Sequence, residues 1–234
     1  MKIRQIKPFL TALAFIAIAP ACTAQTQTNT QSAPKAEAAD WTRTITVSDD
    51  GAHIMGNPDA KYKVAEYVSY TCSHCSTFEM EGTPQLKSEF IADGTASLEM
   101  RNLPLNAVDL TVAVLARCGP SDSFFERHNF WLKMRKSWIR FANDITPETE
   151  ALMKAGDEHA MMLGIYNDMR LRRYAARSGV RGAEAERCLA DKDTLATLNA
   201  MRIRAGGEFG ISGTPSFVVN DETAKGVHTY KSLK

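Results

Sequence analysis

One short motif, Cys72-Ser73-His74-Cys75, constrains this chain more than any other feature of its sequence. It follows a strand-like run that ends at Tyr70 and precedes a segment predicted to be helical from Ser76 to Ile91. Cysteines three residues apart at the start of a helix lie on one face, close enough to form a disulfide. The first sulfur also meets unpaired backbone N–H groups and the positive end of the helix dipole. Because this environment stabilises a thiolate, Cys72 is predicted to be the nucleophile.

His74 lies between the two cysteines and is predicted to add positive charge or a hydrogen bond to the Cys72 sulfur. This pattern indicates thiol–disulfide exchange. Two other interpretations of the motif are a static disulfide and half of a zinc site. Zinc needs further ligands, and the sequence has no second CxxC and no HxxxH to supply them. We therefore expect neither a metal nor another cofactor.

The first 24 residues have the pattern of a secretory signal peptide. Three basic residues precede an apolar run, Phe9 to Ile18, which is too short to span a bilayer comfortably. Small residues then allow cleavage after Ala21 or Ala24. Cys22 leaves an alternative, because a bacterial lipoprotein signal ends just before a lipidated cysteine, although the residues before Cys22 match that signal poorly. The sequence predicts an exported, soluble protein, with a lipid anchor at Cys22 as the alternative.

The next segment, residues 25–40, is polar and low in complexity, and it is predicted to be a disordered tether. The remaining chain, residues 41–234, has a length that suits one domain, or one domain carrying an insertion. The full chain has 28 basic and 27 acidic residues, and loss of the signal peptide would make it slightly acidic. This balance argues against a nucleic-acid partner.

Hydrophobic periodicity predicts few strands and one long helical block. Residues 107–206 show helical spacing and no strand signal, and Gly82-Thr83-Pro84 is predicted to interrupt the helix that follows the cysteines. The predicted strands are residues 42–47, 62–70, 96–102 and 211–219, with a last short strand after a turn at 220–222. The sequence thus predicts an α/β protein with a thioredoxin fold and an inserted helical subdomain. We expect a first half with the CxxC at 41–106, the helical insertion at 107–207, and closing strands at 208–234.

Three segments narrow the class of protein further: GNPDA at 56–60, VAEYVSYTCSHC at 64–75 and FGISGTPSFVVN at 209–220. With them the chain resembles the DsbA family of bacterial periplasmic thiol:disulfide oxidoreductases, from about Met55 to Lys234. The resemblance implies a periplasmic enzyme that acts on exported proteins as they fold. It also implies a monomer that works with a membrane redox partner.

The resemblance also implies roles for individual residues. Cys72 corresponds to the nucleophilic cysteine and Cys75 to the resolving one. Glu66, six residues before Cys72, corresponds to a buried acid that assists proton transfer at the resolving cysteine. A buried carboxyl has a raised pKa and exchanges protons near neutrality. Strand alternation alone leaves open whether the Glu66 side chain is buried or points to solvent.

Pro215 corresponds to the cis-proline of the family, which lies against the active-site disulfide and leaves the adjacent backbone free to pair with substrate. A trans turn proline is the alternative. The chain departs from the best-known oxidase of the family in having Ser-His between its cysteines. It also has Thr214 before the proline, a residue more usual in isomerases and reductases. Thr214 is predicted to donate a hydroxyl hydrogen bond near the site, and both positions tune the reduction potential.

Two further cysteines, Cys118 and Cys188, bracket the helical block. In an oxidising compartment they are expected to pair as a structural disulfide, since some relatives carry cysteines at these positions. Two buried free thiols are the alternative. The arginines at 170–177 are predicted to form a solvated basic helix face.

Three functional hypotheses follow. The first is an oxidase that passes the Cys72–Cys75 disulfide to secreted proteins. The second is a periplasmic reductase or isomerase. The third is a non-enzymatic, tethered assembly or binding factor in which the CxxC is a structural clip. A clip requires neither Glu66, His74 nor Pro215, so their presence around the cysteines favours the two redox hypotheses.

Overall fold

The computed structural model describes residues 40–234. The predicted signal peptide, nearly all of the predicted tether and Cys22 lie outside the described residues. Within residues 40–234, every helix is too short or too polar to cross a membrane.

One mixed sheet forms the centre of the described chain. Its strands are β1 (Ile45–Val47), β2 (His53–Gly56), β3 (Tyr62–Val68), β4 (Ala96–Asn102), β5 (Ser216–Val219) and β6 (Glu222–Thr223). The order across the sheet is β1-β2-β4-β3-β5-β6. The central strand β3 runs parallel to β4 and antiparallel to β5, with Glu66 opposite Met100 on one side and Phe217 on the other. The strand that leads to the cysteines is therefore flanked by β4, which precedes the inserted helices, and by β5, which follows them.

Every residue from Val64 to Val68 on β3 is buried. Strands covered on both faces lose the alternation of apolar and polar residues that marks a half-exposed strand. For this reason the sequence pattern of β3 could not show whether the Glu66 side chain is buried or exposed. In the structure the Glu66 side chain is buried, with 1% of the residue exposed.

Eleven α-helices occur among residues 40–234. They are α1 (Ser73–Glu81), α2 (Thr83–Leu86), α3 (Ala107–Arg117), α4 (Phe124–Lys133), α5 (Arg135–Trp138), α6 (Pro147–Ala155), α7 (Glu158–Asp168), α8 (Leu171–Arg177), α9 (Ala183–Leu189), α10 (Lys192–Gly207) and α11 (Tyr230–Leu233). Short 3-10 segments precede β1 and α4 and follow α5. The helices from α3 to α10 occupy residues 107–207, between β4 and β5.

The helix after the cysteines begins at Ser73, three residues before the predicted start, so that Cys72 is its N-cap residue. Gly82 ends α1, as predicted, and Pro84 lies in the first turn of α2. The chain then continues through a π-helical segment, Lys87–Ile91. The break at Gly82 therefore divides the predicted long helix into two shorter helices, α1 and α2.

The inserted helices pack on the first half of the fold through large buried side chains. Among them are Trp131, Trp138, Tyr70, Tyr166 and Phe124. The Ser76 hydroxyl on α1 donates a hydrogen bond of 2.8 Å to the Leu132 carbonyl on α4. A disulfide joins Cys118, at the end of α3, to Cys188 on α9, with an S–S distance of 2.02 Å.

The predicted strand at 96–102 is confirmed as β4, and the helical block contains no strand. The predicted strand at 211–219 is wrong in its first half, because residues 211–215 form the Gly-Thr-Pro turn and β5 begins at Ser216. The prediction for 42–47 is similarly shortened to β1 by a 3-10 turn. Neither β2 nor α11 was predicted, because β2 has only four residues and is defined by its pairing with distant β4.

Candidate active site

The two cysteines of the motif lie at the start of α1 as free thiols. Cys72 has extended backbone dihedrals at the N-cap position, and its sulfur is partly exposed. Cys75, one turn further along the helix, is fully buried. One sulfur therefore faces incoming molecules while the other is shielded from them.

The environment of Cys72 favours its thiolate. Hydrogen bonding from the Cys75 thiol, followed by the Thr214 hydroxyl and the backbone N–H groups of Cys75 and His74, lowers the pKa of Cys72 from 9.0 to about 5. Partial burial acts in the opposite direction but is outweighed. At neutral pH the Cys72 sulfur is therefore ionised, as the helix-start position predicts.

Thr214 contacts Cys72 across a separation of 142 residues in sequence. The Cys72 thiol donates to the Thr214 carbonyl oxygen at 3.3 Å. The Thr214 hydroxyl is buried and has no hydrogen-bond partner among the described residues while Cys72 is a thiol. A hydrogen bond from this hydroxyl to the ionised sulfur is one of the contributions that lower the pKa of Cys72. The Thr214–Pro215 peptide bond is cis.

The structure changes the contribution assigned to His74. The His74 imidazole is exposed and makes no hydrogen bond within residues 40–234, so the predicted contact of the ring with the Cys72 sulfur is not observed. The backbone N–H of His74 supplies the stabilising contact instead. The residue acts through its position in the first helical turn, where N–H groups lack helical partners.

This difference gives a prediction for two variants at one position. His74→Ala keeps the backbone N–H, so the pKa of Cys72 should stay within about half a unit of the wild-type value. His74→Pro removes that donor, and loss of one hydrogen bond to a charged group should raise the pKa by about one unit. The pH dependence of Cys72 alkylation measures both values, with far-ultraviolet circular dichroism as the control for folding. If the pKa of Cys72 rose as much in the alanine variant as in the proline variant, the imidazole ring, and not the backbone N–H, would be the group that stabilises the thiolate.

Cys75, unlike Cys72, favours the protonated thiol over the thiolate. Its burial, together with the nearby Cys72 thiolate and the Glu66 carboxylate, raises the pKa of the Cys75 thiol. Glu66 lies on β3 near both cysteines, and one of its carboxyl oxygens has no hydrogen-bond partner among the described residues. Burial, and then the charges of Glu79 and Cys72, raise the pKa of Glu66 well above 4.5. Glu66 is therefore a buried acid that can hold a proton near the inner sulfur.

A second buried acid, Glu79, was not predicted. It lies four residues after Cys75, on the same face of α1, and 3% of the residue is exposed. Its carboxylate accepts hydrogen bonds of 2.8 Å from Thr83 and from Asn129. Burial nevertheless raises the pKa of Glu79. The helical spacing from Cys75 was the available signal, but a glutamate in a helix is usually exposed.

Glu79 connects to a buried histidine of the inserted helices. His128 Nε2 lies 3.7 Å from Glu79, and His128 Nδ1 lies 2.9 Å from the Tyr70 hydroxyl. Burial lowers the pKa of His128 to about 3, so the ring is neutral at physiological pH.

Another histidine, His228, contacts the cis-proline turn, with its Nδ1 atom 3.0 Å from the Pro215 carbonyl oxygen. No sequence motif around His128 or His228 indicates these contacts.

The residues before Cys72 are held in place from two sides. Asp109 accepts hydrogen bonds from the backbone N–H groups of Tyr70, at 2.7 Å, and Leu105, at 2.9 Å. Its burial raises the pKa of Asp109 to about 6. Arg135 Nε donates to the Thr71 carbonyl at 2.7 Å. These contacts fix the backbone that presents the Cys72 sulfur.

A central parallel strand leading to a CxxC at a helix start, with a cis-proline turn against the first sulfur, defines a dithiol protein of the thioredoxin fold. The comparisons agree with this class. Residues 48–234 match the family model described as Thioredoxin, and the chain belongs to that family. The predicted fold class, a thioredoxin fold with inserted helices, is thereby confirmed.

Named relatives extend the similarity. A Rickettsia felis protein named "Putative protein-disulfide oxidoreductase" is 30% identical over 173 residues, which cover 74% of this chain and 54% of that protein. The chain thus spans just over half the length of this relative. The crystal structure of a protein-disulfide isomerase from Novosphingobium aromaticivorans is 33% identical, with a TM-score of 0.73, and the match covers 79% of this chain and 94% of the other. Wolbachia pipientis α-DsbA1 shares the fold, at 23% identity and a TM-score of 0.59, over 74% of this chain and 76% of the other.

Proposed function

We propose that this chain is a DsbA-type thiol:disulfide oxidase that passes a Cys72–Cys75 disulfide to other proteins. The observation that carries the proposal is the asymmetry of the two sulfurs. Cys72 is accessible and ionised at neutral pH, while Cys75 is buried with a raised pKa. The oxidoreductase and isomerase names of the relatives support disulfide chemistry as the class of reaction.

The reaction begins when a client thiolate attacks the Cys72 sulfur of the oxidised protein. A client–Cys72 disulfide forms, the Cys72–Cys75 bond breaks, and the electron pair of that bond leaves on the Cys75 sulfur. A second client thiolate then attacks the client sulfur of the mixed disulfide and releases Cys72 as a thiolate. The client is oxidised by two electrons and the protein is reduced by two.

Glu66 supports the first step. A thiolate formed on buried Cys75 is unfavourable because no solvent stabilises it there. Protonated Glu66, with its raised pKa, can supply the proton that neutralises this sulfur. We propose that Glu66 then regains a proton from solvent, so that reduction takes up one proton overall. Glu66 relays the Cys75 proton outward when the disulfide re-forms, which requires an external oxidant. By resemblance to the family, that oxidant is a membrane redox partner.

The low pKa of Cys72 sets the direction of exchange. A stabilised thiolate stabilises the reduced protein and makes the disulfide more oxidising. Because the folded-state pKa is depressed, this stabilisation is complete above the unfolded-state pKa of about 8.5 and is lost as pH falls through about 5. With allowance for solvent screening at the partly exposed sulfur, it amounts to about 1–3 kcal/mol at pH 7.

The reduction potential tests this proposal. At pH 7 it should be clearly more oxidising than the roughly −270 mV of thioredoxin, as measured by equilibration with glutathione. Between about pH 5 and pH 8 it should change by about 30 mV per pH unit, because reduction then takes up one proton, on Cys75 alone. Below that range Cys72 is protonated too, and the slope should double. A thioredoxin-like potential with the doubled slope throughout would contradict the proposal.

A reductase or isomerase is the second candidate, and one observation favours it. The Novosphingobium aromaticivorans structure, at 33% identity, is that of a protein-disulfide isomerase. The Thr214 hydroxyl beside Cys72 is also typical of that class by the family resemblance. Two rates distinguish the candidates. One is the rate at which the oxidised protein oxidises a reduced client, and the other is the rate at which the reduced protein rearranges a client with wrongly paired disulfides. The faster reaction identifies the physiological direction.

We further propose that the chain acts outside the cytoplasm on exported proteins as they fold. The signal-like first 24 residues and the Cys118–Cys188 disulfide support this location, because stable disulfides are typical of oxidising compartments. The proposed form is a soluble periplasmic monomer cleaved near Ala24, with a lipid anchor at Cys22 as the alternative. Intact mass of the mature protein distinguishes the two forms.

A further inference from the structure

Two segments of the inserted helices carry positive charge without any acidic residue. Residues 131–143 contain Lys133, Arg135, Lys136 and Arg140, and residues 169–181 contain Arg170, Arg172, Arg173, Arg177 and Arg181. The whole chain is nearly balanced, with 28 basic and 27 acidic residues. The concentration of charge in these two segments is therefore local.

The fold brings the two segments together. The buried ring of Phe141 has three guanidinium groups over it, those of Arg140 at 4.9 Å, Arg170 at 4.8 Å and Arg173 at 4.7 Å. The Tyr174 hydroxyl on α8 donates a hydrogen bond of 2.9 Å to the Ser137 carbonyl oxygen on α5. Arg140 of the first segment and Arg170 and Arg173 of the second thus lie together around Phe141, and Arg177 lies over Phe130 at 5.6 Å. These four residues, with half-buried Arg135, are here called the basic surface.

Most of this charge is uncompensated. Within the basic surface, Arg170 alone forms an ion pair among the described residues, with Asp144 at 3.3 Å, while the neighbouring Arg172 pairs with Glu186 at 3.2 Å. Arg140 and Arg173 are exposed and have no carboxylate within ion-pair distance in residues 40–234. Stacking on Phe141 restricts these guanidinium groups, and their planar donors match a carboxylate in two-point hydrogen bonding.

The basic surface is continuous with the candidate active site. Arg135 donates to the Thr71 carbonyl, immediately before Cys72. From Arg135 to Phe141 the chain is almost entirely helical, so the surface extends about 10 Å from that contact. An extended polypeptide covers this distance in about three residues. A client held at Cys72 therefore has its neighbouring residues within reach of Arg140 and Arg173.

We propose that the basic surface binds acidic side chains of client polypeptides, located a few residues from the cysteine that reacts with Cys72. This inference rests on the proposed function, because a client must occupy Cys72 for the two contacts to cooperate. Continuity with the reactive sulfur favours a polypeptide over an anionic lipid surface. The surface would select clients by charge and accelerate their encounter with the disulfide.

Three reduced peptides test the proposal. They share one length and one pair of cysteines, and they carry three glutamates, three glutamines or three lysines about three residues from the reacting cysteine. Their rates of oxidation by the wild-type disulfide form are measured by stopped flow. At low ionic strength the glutamate peptide should react about 3- to 10-fold faster than the glutamine peptide, and the lysine peptide more slowly. High salt should remove the differences.

Charge reversal locates the effect. The double variant Arg140→Glu and Arg173→Glu should lose the preference, so that its ratio of the glutamate-peptide rate to the glutamine-peptide rate falls to about one or below. The matched control, Lys192→Glu and Arg202→Glu, makes the same charge change at exposed positions on α10, which packs on α3 and β4. The control should retain the preference. Equal rates for the three peptides with wild type, or a preference that survives in the first variant, would overturn the proposal.

Two further measurements separate the other outcomes. If vesicles of anionic phospholipid bind wild type but not the Arg140/Arg173 variant, and the peptides show no preference, the basic surface is a lipid-binding face and the proposal is wrong. If no peptide is oxidised, the proposed function fails instead. Fluorescence anisotropy with labelled, cysteine-free glutamate and glutamine peptides then decides the inference alone. Tighter, Arg140/Arg173-dependent binding of the glutamate peptide supports it, and equal binding overturns it.

Discussion

Cys72→Ser is expected to reduce disulfide transfer to the uncatalysed background, a loss of about 1000-fold or more. A serine hydroxyl cannot form the mixed disulfide, and it is not ionised at neutral pH. The substitution should not disturb folding, because Cys72 is the N-cap residue of α1 and makes no side-chain capping hydrogen bond, while serine is a preferred N-cap. Thermal unfolding of the variant provides the control, with one cooperative transition like that of the reduced wild type.

Cys75→Ser should have a different effect from Cys72→Ser. Cys72 keeps its exposure, so its thiolate can still attack a disulfide of an oxidised client and form a client–Cys72 bond with release of a client thiolate. No buried thiol then remains to break the new bond. The variant should accumulate client-linked species, visible by non-reducing electrophoresis and intact mass, with Cys72 as the linked residue. Mixed disulfides through Cys75 in a Cys72→Ser protein would contradict the assignment of roles, as would undiminished activity in either variant.

Removal of the second disulfide is expected to have the largest effect on stability. Cys118 and Cys188 are 70 residues apart in sequence, and a cross-link over that separation restricts the unfolded chain by about 4 kcal/mol in the entropy model. Native disulfides typically contribute about 2–4 kcal/mol in practice. The free energy of unfolding should therefore fall by about 2–4 kcal/mol when Cys118 and Cys188 are both replaced by alanine.

The experiment can separate the cross-link from the side chains. In a Cys72→Ser and Cys75→Ser background, the Cys118–Cys188 bond is the redox-sensitive pair of the described domain. Urea unfolding with and without reductant then compares the same side chains with and without the bond. A difference below about 1 kcal/mol would show that the cross-link contributes little and that packing alone holds α3 against α9.

The sequence predicted the parts of the fold that local signals determine. The strand at Ala96–Asn102, the interruption at Gly82 and the helical block follow from short-range patterns, and the structure has all three. The strand β2 escaped prediction because its four residues acquire strand geometry through pairing with β1 and β4. Pairing between distant segments leaves little trace in a window of a few residues.

The candidate site shows the same division. Cys72 and Cys75 are recognisable in the sequence because their three-residue spacing is what allows the two sulfurs to form a disulfide. Glu79, Asp109 and His128 are not, because each depends on partners brought together by tertiary packing, such as Asn129 for Glu79 and Tyr70 for both Asp109 and His128. His74 shows a further limit, because the sequence pointed to its ring, whereas in the structure its backbone N–H makes the contact with Cys72.

The contact between Cys72 and Thr214 has a consequence for the newly made chain. The two residues are 142 positions apart, so a ribosome must add most of the domain after Cys72 before this partner exists. Until the last strands dock, Cys72 lacks both the carbonyl acceptor and the hydroxyl donor of Thr214. Part of the reactivity of the thiol therefore develops only at the end of folding. The Cys72 thiol of a growing polypeptide is therefore expected to be less ionised, and less reactive toward neighbouring chains, than that of the finished domain.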